Sequence, residues 1–166
     1  MNRYNLMPSA TDNNPVQHAL TRLWKQLGTI TQLSFSAQSG NGAAGWNGMG
    51  KGRVDVTPAT DVILFREAGT WQTATGQTLA FRNVFRWTRN LQLGHIQLEH
   101  LRYGENQPVF LFDLVGIGAA ELTSAEPHHC AADVYTGQLV LEANGFTLDW
   151  YIQGPRKDEH IRYQYS

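Results

Sequence analysis

The chain has 166 residues, of which 42% are apolar and 16% charged, with a formal net charge of −1 and one cysteine. That length allows one domain with its own core, and the charge balance leaves no electrostatic footprint for nucleic acid or an anionic membrane. One cysteine excludes an internal disulfide; with no apolar leader and no apolar run of membrane-span length, the expected setting is the cytoplasm.

Met1 to Asn14 are polar and aperiodic and read as a loose N-terminal tail. Asn14-Pro15 is a helix start, with Asn as N-cap and Pro at the first helical position. Val16, Ala19, Leu20, Leu23, Trp24 and Leu27 then follow helical spacing, and Gly28 stands where a terminating glycine is expected. The reading is one amphipathic helix over 15–27, which caps one end of a larger structure.

After Gly28 the period changes to two. Leu33, Phe35 and Ala37 alternate with polar residues, and a glycine-rich turn follows at 40–42. In the next strand Trp46, Gly48, Gly50, Gly52, Val54 and Val56 share one face. Glycines repeated on one face allow the sharp bending that closes antiparallel sheets into barrels. Further strands are predicted at 61–67, 78–88, 93–103, 108–115, 131–142, 146–153 and 159–165, separated by turn residues. Asn144-Gly145 between two apolar runs is the strongest hairpin signal. The expected fold is mainly β: one antiparallel barrel of about nine or ten strands spanning 15–166, with its capping helix at 15–27.

Several short patterns identify the chain as similar to a bacterial family, the domain of unknown function numbered 6314, over roughly Leu27 to Tyr165. They are Gly45-Trp46-Asn47-Gly48, the strand from Ile63 through Phe65 and Glu67 to Gly69, Phe85-Arg86-Trp87, and His128-x-Cys130-x-x-Asp133-x-Tyr135. Trp150, Gly154-Pro155-x-Lys157 and Tyr165 complete them. The resemblance implies a calycin-like barrel, similar to lipocalins and fatty-acid-binding proteins, and brings no assigned activity. Calycins often carry Gly-x-Trp on the first strand, packed near a basic residue of the last. Here that position reads Gly28-Thr29-Ile30, without the tryptophan, and Arg162 is the candidate basic partner.

Chemically capable side chains concentrate at 127–135 and 150–157. His128, His129, Cys130 and Asp133 are possible metal ligands, but their spacing fits no standard site. No metal and no cofactor is expected, and Cys130 is expected to be a small, unreactive core residue. Asp133 and Tyr135 share a face if their strand is regular, and the strand carrying Trp150 and Lys157 should pair beside it. One reading is a buried network that pins the strands. The other is the polar end of a cavity, with His128, Asp133, Tyr135 and Lys157 as contacts and Trp150, Trp87 and Phe65 as apolar walls. Glu67, in line with Ile63 and Phe65, would need an arginine or hydroxyl partner if it faces inward. Arg82 and Arg86 are expected on the solvent face of their strand.

The function expected is binding of a small apolar or amphipathic molecule in the barrel interior, by a monomer or homodimer. An enzyme using the His128, Asp133, Tyr135 and Lys157 cluster, or an interaction protein with a filled core, are the alternatives.

Overall fold

A computed structural model describes residues 14–40 and 47–166. Residues 1–13 of the predicted tail, the turn at 41–42 and Trp46 lie outside the described residues. The first element is the helix α1 (Pro15–Leu27). The Asn14 side chain accepts from the Val16 N–H at 3.1 Å, and Pro15 occupies the first turn. These are the capping roles that a helix start needs, because its first N–H groups have no partner within the helix.

Among the described residues eleven strands follow: β1 (Gln32–Ser39), β2 (Gly48–Pro58), β3 (Val62–Thr73), β4 (Thr78–Asn90), β5 (His95–His100), β6 (Val109–Gly116), β7 (Glu121–Ser124), β8 (His128–Cys130), β9 (Asp133–Glu142), β10 (Gly145–Gly154) and β11 (Lys157–Tyr165). They are antiparallel throughout, in the order β10-β11-β1-β2-β3-β4-β5-β6-β7-β9, and a β9–β10 pairing closes the ring. The result is a closed barrel of ten strands; β8 continues the line of β7 and pairs with the start of β9. Closure removes the free edges that an open sheet would expose.

Two strands differ from the sequence-based expectation. The region 121–130 holds β7 and β8, which were not predicted. The strand predicted at 131–142 begins at Asp133, after a tight hairpin in which His128 pairs with Tyr135 and Cys130 with Asp133. Ala131 takes a left-handed conformation, φ 55°, at its corner. An alanine there gives none of the usual glycine or asparagine signal, so the turn was invisible to composition.

Alternation places Leu33, Phe35, Phe65, Phe85, Trp87, Leu98, Phe112, Leu139, Leu148 and Trp150 inside, all buried. Their rings meet across the barrel: Phe85 and Phe112 approach Trp150 edge-on at 5.8 and 5.5 Å, and Trp87 approaches Phe146 at 5.9 Å. Such edge-to-face contacts suit the charge distribution of aromatic rings and fix their orientation.

The helix lies over one end. Ala19, Leu20, Leu23 and Leu27 are buried against it. Arg22 reaches the Ala119 carbonyl, Gln26 Nε2 reaches the Glu142 carbonyl at 2.7 Å, and the Arg89 guanidinium sits 4.8 Å above the Trp24 ring. At Gly116 a Cβ would collide with the backbone of Val16, so the missing side chain lets helix and barrel touch. No helix among the described residues covers the opposite end, and none is long and apolar enough to cross a membrane.

Candidate functional site

The eight predicted site residues fall into two groups. Phe65, Glu67, Trp87 and Trp150 belong to the interior. His128, Asp133, Tyr135 and Lys157 gather at the end of the barrel opposite the helix.

The rim group is built by two hairpins. Asp133 opens β9; Lys157 opens β11, directly after the two-residue turn Pro155-Arg156. Lys157 Nζ lies 2.8 Å from Asp133 Oδ2. Asp133 also takes the space that a side chain at Gly154 would need, so only glycine at 154 leaves the carboxylate there. The hydrogen bond with Asp133 raises the Lys157 pKa and outweighs the opposing effect of burial. One strand partner further in, Tyr135 packs against the core, and His128 lies between it and Phe110 at ring distances of 6.1 and 5.0 Å. Trp71, Phe81 and Ile161 are further half-buried apolar side chains at this end, packed against the core. His100 stacks on Phe85 at 4.7 Å, and burial, then the Arg102 charge, lowers its pKa.

Cys130 is a correction. It is exposed at the tip of the β8–β9 hairpin and is not a core residue. Its expected burial rested on its small and apolar neighbours on a presumed inner strand, and the turn at Ala131-Ala132 puts it at a hairpin tip instead.

In the interior, Glu67 is 2% exposed. It accepts from the Tyr165 hydroxyl at 2.7 Å and from Asn83 Nδ2 at 3.3 Å. Burial pushes its pKa up to about 7, and the two hydrogen bonds offset only part of that rise. The hydroxyl partner anticipated for an inward Glu67 is thus Tyr165. Burial, followed by the Glu67 charge, raises the Tyr165 and Tyr163 pKa values, so both phenols stay protonated. Phe65 lies 5.7 Å from both Trp87 and Tyr165. The indole N–H groups of Trp87 and Trp150 are buried and meet no acceptor among the described residues.

A third group, on the outer wall, escaped the sequence reading. Asp149, 6% exposed, receives Arg162 Nε at 2.8 Å and Arg162 Nη2 at 3.1 Å, with His160 Nε2 on the same carboxylate. Burial pushes the Asp149 pKa up, but the hydrogen bonds and charges of Arg162 and His160 outweigh it and hold it low. Tyr151 stacks on His160, nearly parallel, at 4.5 Å. Counting back from a two-residue turn at 155–156 would have paired Asp149 with Arg162 and Tyr151 with His160. Arg162 therefore does not close a barrel end, as the calycin comparison suggested. Arg86 faces outward as expected, bound to Glu99 at 2.7 Å.

Among the described residues no group of three or more His, Cys, Asp or Glu side chains is placed to hold a metal ion. Residues 31–166 match the model of a Family of unknown function (DUF6314), and the chain belongs to that family. No curated protein and no solved structure matches the chain.

Proposed function

We propose that this barrel is a calycin-like binding protein that holds a small apolar or amphipathic molecule at the end opposite its helix. One observation carries the reading: the two ends are unlike. The helix seals one with buried leucines, while the other presents half-buried Trp71, Phe81, Tyr135 and Ile161 beside the Asp133–Lys157 pair. An apolar wall with a few fixed polar groups is the usual make-up of a small-molecule site. The unpaired Trp150 N–H, deeper on the same strand as the rim turn, adds a donor that needs an acceptor.

The ion pair also bears on the kind of ligand. Asp133 and Lys157 neutralise each other, so together they offer one acceptor and one donor with little net charge. That suits an uncharged polar head, such as an alcohol or amide, on an apolar body. Lys157 is held protonated by its partner, which favours binding over proton transfer as its role.

The test is a titration of the full chain with a medium-chain primary alcohol, followed by tryptophan fluorescence. Native mass spectrometry of gently purified protein runs alongside it. Saturable quenching is expected, weakened several-fold by Asp133→Ala. Because Lys157 is 43% and Asp133 21% exposed, losing the pair should cost at most about 1 kcal/mol of stability. No saturable change and no co-purified molecule would overturn the reading. A large stability loss with intact affinity in Asp133→Ala would assign the pair to structure instead.

A further inference from the structure

The outer wall formed by β11, β1, β2 and β3 carries a hollow of about 650 Å³. The register of the sheet explains its lining. One cross-strand row runs from Arg162 through Ser36 to Met49, and the next from Gln164 through Ser34 to Lys51. Alternation points all six side chains away from the core.

The floor is thin at one place. Gly50 stands between Phe35 and Trp71 in the register and has no side chain. The Phe35 ring occupies the space that a Cβ at Gly50 would need, and Phe35 and Trp71 both line the hollow. A sheet whose wall lacks one inward side chain lets inner rings approach the outer surface.

The charge of the hollow is one-sided. Lys51 and Arg162 are its ionisable lining residues, and no Asp or Glu lines it. Asp149 takes the Nε and Nη2 edge of Arg162, which fixes the guanidinium and leaves Nη1 for another acceptor. Lys51 has no ion-pair partner among the described residues. The two Cα atoms stand two strands and two residues apart, about 12 Å from strand geometry. Both side chains can therefore reach over the hydroxyls of Ser34 and Ser36, which separate them.

The geometry points to a binding site for a small organic oxyanion, a carboxylate or a phosphate, on this outer wall, held by Lys51, Arg162, Ser34 and Ser36 over an aromatic floor. Lys51 supplies the free charge, Arg162 its Nη1 edge beside the Asp149 pair, and Ser36 and Ser34 their hydroxyls, the latter now donating to Gln164 Oε1 at 3.4 Å; together these donors make an oxyanion cradle. A chain of net charge −1 has no general attraction for anions, so the selectivity is local. This site opens on the outer wall and differs in charge from the rim, whose own charges cancel, although Trp71 borders both.

Citrate and glucose 6-phosphate, with glucose as the neutral control, distinguish the two oxyanion sources. Amide chemical shifts of the isotope-labelled full chain provide the readout. Saturable shifts at residues 34–36, 49–51 and 162–164 are expected with one or both anions and not with glucose, weakening as salt is added. Lys51→Glu should reduce affinity at least about tenfold, and Lys51→Arg should keep most of it. The variant fold is checked by its unchanged shifts elsewhere, those of Asp133 and Lys157 at the rim included. No saturable shift with either anion, or an affinity indifferent to Lys51→Glu, would overturn the site.

Discussion

Glu67 should make this protein less stable as the pH rises through neutrality, and Glu67→Gln should remove that dependence. The carboxyl is buried inside the barrel between Tyr165 and Asn83, and burial raises its pKa from 4.5 to about 7. Below pH 4.5 it is protonated in both folded and unfolded chains and contributes nothing to the pH dependence. Between 4.5 and 7 the unfolded chain releases the proton while the folded one retains it, so unfolding is progressively favoured. Above about 7 both are ionised and the penalty levels off at about 3 kcal/mol, the shift multiplied by about 1.36 kcal/mol per unit. From about pH 5 to about pH 8 the change due to this one group is about 2.5 kcal/mol. A chain of this size then melts roughly 5–10 °C lower at about pH 8 on this account alone. The amide introduced by Glu67→Gln keeps the volume and can still accept from Tyr165, but it does not titrate. Urea unfolding of both proteins at intervals between about pH 5 and about pH 8 isolates the effect, since the six histidines are common to both. Parallel stability curves for the two proteins would refute the reasoning, because the carboxyl would then titrate alike in folded and unfolded chains.

Leu23→Ala removes a fully buried side chain beneath the helix and should cost about 2–5 kcal/mol in urea unfolding, with a cost below about 1 kcal/mol showing that the helix seals nothing. Gly154→Ala should cost at most about 1 kcal/mol, because the methyl group displaces the end of the Asp133 side chain and with it the pair to Lys157. The same change made on Asp133→Ala should cost much less, and strictly additive values in that double-mutant cycle would contradict the contact. Cys130 should react with a thiol reagent in the native protein about as fast as in the unfolded one; labelling that needs denaturant would place it back in the core.

The change of period at Gly28 was enough to read the chain as one capping helix followed by an antiparallel barrel. Periodicity reports which face of an element is apolar, and the elements then follow. Asn14-Pro15, the Asn144-Gly145 hairpin and the inward Phe65, Trp87 and Trp150 were legible for the same reason, since each depends on residues near in sequence. The tight turn at Ala131-Ala132 was not, because a left-handed alanine is held by the surrounding strands and leaves no local sign. That one turn moved Cys130 from the core to the surface and set His128 opposite Tyr135. Glu67 could be placed facing inward from its neighbours, but its partner lies 98 positions away and is fixed only by closure of the ring. The cradle of Lys51, Ser34, Ser36 and Arg162 likewise joins strands from both ends of the chain. Alternation tells each of those residues to face outward; the register between strands alone decides which of them meet, and register is a property of the closed sheet.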